Sequence, residues 1–295
     1  MTNPFDSLPR TVRIRDMTLR DGLQSLPAVL PTSAKLEIYD ALTRAGVRDL
    51  QVTSFVNPAR VPQLGDAEDL WRALAERPER KSVLVANMRG FERAVAAGAE
   101  EIEAVVSVSE AYNAKNAHRT VRQSLDEIAE MAGRAREAGT PLTIAMANCY
   151  HCVFEGRIDR TKVMAVVGEL VERGVREIGL SDTTGFATPD HVHGLSAEAR
   201  AAFPEVTFGA HLHDTRGRGV TNAVAALQAG IAWFDTALAG LGGSPFAPGV
   251  GGNLSTEAVV DTLAGMGIET GIDTGRIVEA GALVGRATAA RQEQQ

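Results

Sequence analysis

The sequence predicts an α/β protein, namely a closed (β/α)8 barrel formed by a single domain over residues 1–295. Three observations indicate this fold. Eight short β-like runs alternate with amphipathic helical stretches, glycine follows most of the helices, and 295 residues is a length typical of one such barrel. An open flavodoxin-like sheet is the alternative architecture. It has less support, because no G-x-G-x-x-G motif follows the first strand.

The predicted elements follow one another along almost the whole chain. The strands cover residues 12–18, 49–55, 82–87, 101–108, 141–148, 177–182, 206–214 and 232–238. The helices cover residues 32–45, 67–77, 89–97, 120–138, 159–173, 189–202, 217–229 and 255–266. Glycine often caps the C-terminal end of a helix, and the sequence has Gly at positions 46, 98, 139, 174 and 230, each shortly before a strand. Residues 285–295 are predicted to form a short flexible tail.

Composition and charge argue against several classes of function. The formal net charge is −7 and no block of Lys and Arg stands out, so a role on nucleic acid or at a membrane surface is not expected. No apolar run approaches the ~20 residues of a membrane span, and the N-terminal residues lack the apolar core of a signal peptide. We therefore expect a cytoplasmic protein that acts on a small molecule.

The two cysteines, Cys149 and Cys152, form a C-x-x-C pair at the end of the fifth predicted strand. Such a pair could hold zinc or serve redox chemistry. A structural zinc site needs four ligands, and the sequence contains no second pair of this kind. We interpret these residues as two reduced thiols.

The strongest functional signal is an H-x-H pattern at the end of the seventh predicted strand. His211 and His213 are two residues apart, so their side chains project from the same side of the strand. In a parallel barrel the C-terminal strand ends meet at one face, where Asp21 arrives from the first strand. Two imidazoles and a carboxylate suit a divalent cation, and we predict Mg²⁺ or Mn²⁺, with Co²⁺ or Zn²⁺ as alternatives. The competing interpretation is that one histidine is a packed core residue.

Other polar residues at strand ends predict the remaining parts of the site. The guanidinium of Arg20 could hold a developing enolate oxygen, although a structural salt bridge with Asp21 is the alternative. Asp182 is the best carboxylate for proton transfer, and its alternative role is to cap the helix that begins near residue 189. The loop at about residues 240–253 contains six glycines and is predicted to be a lid over the substrate.

Several longer segments lie over nearly the whole chain in the order of one known family. They are RDGLQ (20–24), TSFVNPARVPQLGD (53–66), GFERAVAAGA (90–99), EGRI (155–158), SDTTGFATP (181–189), HLHDTRGRGVTNAVAALQAG (211–230) and AGLGGSPFAPGVGGNLSTE (239–257). On these residues the chain resembles the hydroxymethylglutaryl-CoA lyase family of the DRE-TIM metallolyase superfamily. The resemblance implies a divalent-metal-dependent lyase that cleaves a 3-hydroxy-3-methylglutaryl-CoA-like thioester to acetyl-CoA and a keto acid. Members of this family are often homodimers, and we expect the same here.

The resemblance also implies roles for individual residues. It assigns four metal ligands, three groups with a part in catalysis and three substrate contacts. The ligands are Asp21, His211, His213 and Asn253, the catalytic residues are Arg20, Asp182 and Ser244, and the substrate contacts are Gln24, Gln51 and Thr183.

Three positions depart from the family pattern. Ser244 stands where the family has a loop cysteine, Gln51 stands where it has a strand-2 glutamate, and residues 25–31 lack the family's basic residue that contacts CoA. A serine hydroxyl does not exchange protons near neutrality as a thiol does. Three alternatives therefore stay open: a lyase or aldolase on a hydroxy acid without CoA, a condensing acyl-CoA synthase, and a non-catalytic binding barrel.

Overall fold

The computed structural model describes residues 8–243 and 251–292, and these residues form the predicted closed barrel. Eight parallel strands make the wall: β1 (Arg13–Asp16), β2 (Asp49–Ser54), β3 (Arg80–Val85), β4 (Ile102–Ser107), β5 (Leu142–Ala147), β6 (Glu177–Asp182), β7 (Thr207–Leu212) and β8 (Trp233–Thr236). The sheet closes where β8 pairs with β1, with Asp16 opposite Thr236. The closed sheet excludes the open flavodoxin-like alternative.

Helices cover the outside of the barrel. Their bounds are α1 (Thr32–Arg44), α2 (Ala67–Leu74), α3 (Met88–Ala96), α4 (Glu110–Ala117), α5 (Val121–Ala138), α6 (Arg160–Glu172), α7 (Pro189–Ala202), α8 (Gly219–Gln228), α9 (Thr256–Gly265) and α10 (Thr274–Gln292). Helices α4 and α10 are additional to the predicted set, and α10 includes residues 285–292 of the predicted tail. Among the described residues, no helix combines the length and apolar composition needed to cross a bilayer.

The first strand is shorter than the sequence predicts. It ends at Asp16, and Thr18–Gly22 forms a π-helical turn instead of continuing the strand. The carboxylate of Asp16 accepts a hydrogen bond from the backbone N–H of Thr18 at 2.9 Å, which turns the chain away from the sheet. A π-type turn is often found at functional sites. Here it carries the R-D pair of the R-D-G-L-Q segment.

The buried indole of Trp233 packs closely against the backbones of β7 and β6. A Cβ atom added to Gly209 would lie 2.0 Å from Trp233 Cε2, and one added to Gly179 would lie 3.0 Å from Cη2. Arg15 lies over the same ring, with Cζ 4.4 Å from its centroid. Glycine is therefore required at position 209, because the indole approaches the backbone of β7 too closely for any side chain.

The thiols of Cys149 and Cys152 are both free and buried. Burial raises the pKa of Cys149 to about 12, so this thiol stays protonated at neutral pH. Cys152 Sγ lies 3.0 Å from Ser109 Oγ at the start of α4. These contacts agree with the interpretation of the pair as reduced thiols.

Candidate active site

The three metal-ligand side chains predicted from the strand ends meet at the C-terminal mouth of the barrel. One ligand atom each from Asp21, His211 and His213 lies within 4.8 Å of the others. In the part of the chain that the structure describes, no other group of three His, Cys, Asp or Glu side chains has this geometry. The carboxylate comes from the π-helical turn after β1, and the imidazoles come from the end of β7.

The two imidazoles turn the same nitrogen toward the centre of the site. Their Nε2 atoms are 3.1 Å apart, while His211 Nδ1 faces Asp235 at 3.2 Å and His213 Nδ1 faces the carbonyl oxygen of Gly251 at 3.0 Å. Because both Nδ1 atoms have acceptors, each ring is held in the tautomer that leaves Nε2 as a lone-pair donor. This orientation is the one that a metal ligand requires.

The pKa values of the two histidines shift in opposite directions. Burial, followed by the neighbouring His211, lowers the pKa of His213 to about 4, so this ring is neutral at pH 7. Burial alone would also lower the pKa of His211, but the hydrogen bond to Asp235 and the charge of that carboxylate raise it.

The carboxylate of Asp21 is ionised and held by three donors. Burial opposes ionisation, but the charge of Arg20 lowers the pKa of Asp21. Arg20 Nη1 and Gln24 Nε2 both donate to Oδ1, the latter at 2.7 Å. Asn253 Nδ2 donates to Oδ2 at 2.7 Å, so the amide of Asn253 lies at the site. Its ligation through the amide oxygen stays a prediction, because the amide nitrogen is the atom that faces Asp21, and it also donates to the carbonyl oxygen of Leu241 at 2.8 Å.

A cavity of about 190 Å³ opens beside these residues. Its polar wall includes the predicted substrate contacts Gln24 and Thr183, together with Arg20, Asp21 and the two histidines. Met17, Val56, Val61, Leu84 and Val105 form an apolar side. Gln51 is fully buried behind Arg20 and does not line the cavity, so its substrate contact has no direct support from the geometry.

The carboxylate of Asp182 is directed into its own loop. It accepts hydrogen bonds from the backbone N–H of Ala187 at 2.9 Å, from that of Phe186 at 3.3 Å and from Thr184 Oγ1 at 3.3 Å. Asp182 is absent from the cavity wall, although its neighbours Ser181 and Thr183 line it. Burial raises the pKa of Asp182. These contacts hold the loop before α7 but do not cap α7, which begins at Pro189 and has no side-chain cap hydrogen bond. They favour a structural role in the loop over a direct part in proton transfer.

The predicted lid at about residues 240–253 falls partly outside the described residues, and so does Ser244. The described ends of this segment approach the site closely. A Cβ atom on Gly242 would lie 2.1 Å from Asn253 Nδ2 and 3.0 Å from Asp21 Oδ2. Glycine at position 242, with a φ of +121°, therefore lets the backbone pass directly over the carboxylate of Asp21.

Sequence reasoning missed three charged residues that lie in the barrel interior: Arg15, Glu103 and Asp235. Glu103 and Asp235 also line the cavity. All three are at least 98% buried. Arg15 donates to both carboxylates, at 2.6 Å to Glu103 and 2.7 Å to Asp235. A signal was present in the sequence, because R-I-R in β1 and E-I-E before and within β4 place charges at alternate positions of buried strands. Such charges must pair with one another inside the barrel.

The comparisons with known proteins agree with this geometry. The family model described as HMGL-like matches residues 11–284. The chain belongs to the HMGL-like family. It is 37% identical over 281 residues to mitochondrial hydroxymethylglutaryl-CoA lyase of Mus musculus, covering 95% of this chain and 86% of that protein. It is 39% identical over 280 residues to (R)-citramalyl-CoA lyase of Chloroflexus aurantiacus, covering 91% of this chain and 88% of the relative.

Solved structures of HMG-CoA lyases have the same fold. The Bacillus subtilis HMG-CoA lyase superposes with a TM-score of 0.91 at 33% identity, covering 96% of this chain and 95% of that one. An HMG-CoA lyase from Acinetobacter baumannii, in complex with coenzyme A and 3-methylmalate, gives a TM-score of 0.90 at 32% identity, covering 98% and 93%. These findings confirm the resemblance drawn from the sequence segments. The chain is therefore a carbon–carbon lyase of the HMGL-like family.

Proposed function

We propose that this protein cleaves a 3-hydroxyacyl-CoA thioester to acetyl-CoA and a keto acid, using a divalent metal ion, Mg²⁺ or Mn²⁺. In this reaction the hydroxyl of the substrate loses its proton and becomes the carbonyl of the keto acid. The bond between that carbon and the carbon next to the thioester breaks. Its electron pair forms the enolate of acetyl-CoA, which then takes up a proton. The observation that carries the proposal is the meeting of Asp21, His211 and His213 beside Arg20 at the cavity.

The residues at the site fit a divalent cation. Asp21 offers a carboxylate held ionised by Arg20, and the two histidines offer Nε2 lone pairs fixed by their Nδ1 contacts. This donor set can hold Mg²⁺ or Mn²⁺ and also fits Co²⁺ or Zn²⁺, so the proposal of Mg²⁺ or Mn²⁺ rests on the resemblance to the family and not on the donor atoms alone. When bound, such an ion would polarise substrate oxygens and favour loss of the hydroxyl proton.

Arg20 is placed to hold negative charge on the enolate fragment. Its Nε and Nη1 are used by Gln51 and Asp21, whereas the contact of Nη2 within the described residues is a weak one, to Met17 Sδ at 3.7 Å. Nη2 therefore has N–H donors for an oxygen in the cavity. A preorganised donor of this kind typically contributes a rate factor on the order of 10²–10³.

Two substrates are favoured by the comparisons. One relative is named a lyase for hydroxymethylglutaryl-CoA, and another of similar identity is named a lyase for (R)-citramalyl-CoA. Both substrates are hydroxyacyl thioesters that release acetyl-CoA. They differ by one methylene between the hydroxyl-bearing carbon and the free carboxylate. The first yields acetoacetate and the second yields pyruvate.

The test is to incubate the protein with each thioester and Mg²⁺ or Mn²⁺, and to identify the products by mass spectrometry. We expect acetyl-CoA together with acetoacetate or pyruvate. Arg20→Gln should lower kcat by about 10²-fold or more, whereas Arg80→Gln, at the opposite end of the barrel, should leave kcat within about twofold. Failure to release acetyl-CoA from either thioester would refute the proposal.

Other products would support the remaining alternatives. Cleavage of free hydroxy acids alone would indicate a lyase that does not use CoA. Release of free CoA from acetyl-CoA and a 2-keto acid would indicate a condensing synthase.

A further inference from the structure

A buried chain of polar side chains runs from Arg20 across the barrel interior. Arg20 Nε donates to Gln51 Oε1, and Gln51 Nε2 donates to Glu103 Oε1 at 2.9 Å. Glu103 Oε2 accepts from Arg15 Nη2 at 2.6 Å, and Arg15 Nε donates to Asp235 at 2.7 Å. Gln51 and Glu103 have no exposed surface. Changes of charge at one link therefore act on the next with little screening by solvent.

We infer that Glu103 supplies, from β4, the negative charge that the family pattern has at position 51 on β2, and that it acts on Arg20 through the amide of Gln51. The inference rests on the proposed function, in which Arg20 holds the enolate charge. Glu103 lines the same cavity, but its hydrogen bonds within the described residues are to Gln51 and Arg15 and not to Arg20, so it acts on Arg20 as a positioning residue. It would keep the guanidinium in the orientation that leaves Nη2 facing the cavity.

The orientation of the Gln51 amide supports this assignment. An arginine N–H can only donate, and an ionised carboxylate can only accept. The amide therefore must turn its oxygen to Arg20 and its NH₂ group to Glu103, which is the arrangement found. Within the described residues this NH₂ group donates to Glu103, so without a carboxylate at position 103 it could turn toward the guanidinium and repel it.

The same geometry accounts for glutamine, rather than glutamate, at position 51. A carboxylate at position 51 would lie against Glu103, because the present amide nitrogen is 2.9 Å from Glu103 Oε1. Two carboxylates at that distance cannot both stay ionised, and one of them takes up a proton. Gln51→Glu by itself is therefore not a simple restoration of the family pattern. The charge is already present on the neighbouring side of the network.

A double-mutant cycle of four proteins tests the inference. The four proteins are the wild type, Gln51→Glu, Glu103→Gln, and the double variant Gln51→Glu/Glu103→Gln. The double variant moves the carboxylate from β4 to β2 and keeps the number of charges. We expect each single variant to lower kcat/KM by about tenfold or more, and the double variant to recover to within about threefold of the wild type. Recovery is a result that a general loss of stability would not produce.

Glu101→Gln is the matched control. Glu101 is another buried carboxylate of the chain near β4, but it pairs with Arg80 at 2.6 Å, at the end of the barrel away from the site. Its replacement should lower the urea midpoint of unfolding and leave kcat/KM within about twofold of the wild type. A fall in kcat/KM as large as that of Glu103→Gln would overturn the inference, since any buried carboxylate would then serve equally.

Binding of oxalate separates this inference from the proposed function. Oxalate is a small dianion whose carboxylate oxygens imitate the charged oxygen of an enolate. Its affinity for the protein in the presence of Mn²⁺ is measured by calorimetry. We expect Glu103→Gln to weaken oxalate binding by about tenfold, with recovery in the double variant. If the wild type cleaves no hydroxyacyl thioester, the proposed function fails and the oxalate cycle still decides the role of Glu103. Oxalate affinities within about twofold in all four proteins, or a double variant no better than the weaker single one, would overturn it.

Discussion

Replacing Asp235 with asparagine is expected to weaken metal binding while the barrel still folds. Asp235 lies in β8 and accepts hydrogen bonds from Arg15 Nε at 2.7 Å and Nη2 at 3.0 Å, and it faces His211 Nδ1 at 3.2 Å. Burial alone would raise its pKa, but the charge of Arg15 lowers the pKa of Asp235 to about 2. The carboxylate is thus ionised at every pH at which the enzyme would be assayed.

The magnitude follows from these contacts. Asparagine keeps one acceptor oxygen but turns an NH₂ group toward either Arg15 or His211, which are both donors. Loss of a partner that fixes a metal-ligating histidine typically costs 10–100-fold in affinity, or about 1.4–2.7 kcal/mol. The weakened contact to the buried Arg15 adds a cost in unfolding free energy of about 3 kcal/mol, which is moderated because Glu103 still pairs with Arg15.

Calorimetric titration with Mn²⁺ measures the affinity, and urea unfolding measures the stability. Glu177→Gln is the control, because Glu177 pairs with Arg13 and Arg80 at the far end of the barrel. It should reduce stability and leave the Mn²⁺ affinity within about twofold of the wild type. An Asp235→Asn protein that binds Mn²⁺ as tightly as the wild type would refute the reasoning, since His211 would then not depend on this carboxylate for its orientation.

Three further predictions concern the scaffold around the site. Burial raises the pKa of Asp16 to about 6, above its unfolded value of about 4. Protonated Asp16 therefore stabilises the folded protein, and this contribution to the free energy of unfolding is complete below about pH 4 and is lost as the pH rises through about 6. Between pH 4 and pH 7 the urea-derived stability of the wild type should therefore fall by about 3 kcal/mol relative to Asp16→Asn, and parallel curves would contradict this. Gly209→Ala should destabilise the barrel by about 3 kcal/mol because the new methyl group overlaps Trp233, and Gly209→Ala/Trp233→Leu should recover part of the loss. Asp182→Asn should lower stability by about 1–3 kcal/mol and keep the shape of the pH–rate profile, whereas loss of one limb of that profile would restore Asp182 to an acid–base role.

The positions of the candidate metal ligands could be predicted from local pattern alone. H-x-H places two imidazoles on one side of β7, and the R-D-G-L-Q segment follows β1. Once the alternating elements predict a closed parallel barrel, the C-terminal ends of all strands must lie on one face. Asp21 meets His211 and His213 there although almost two hundred residues separate it from the two histidines in the chain.

The direction of a side chain in a loop could not be predicted in the same way. Asp182 ends β6 at the correct face of the barrel, yet its carboxylate turns back to the backbone of its own loop. The π-helical turn at Thr18–Gly22 likewise depends on Asp16 accepting from Thr18, a contact that no hydrophobic periodicity reports. Local hydrogen bonds of this kind compete with the extended chain and decide where a strand ends.

The sequence by itself determined the barrel, its C-terminal face and the residue types available there, because these depend on the spacing of apolar and polar residues along each element. Only the tertiary structure decided which buried charges are partners. Arg15 is 88 residues from Glu103 and 220 from Asp235, and no short-range pattern links them. A charge inside a barrel is stabilised only by the groups that closure of the sheet brings against it, and that pairing follows from the register and stagger of all eight strands together.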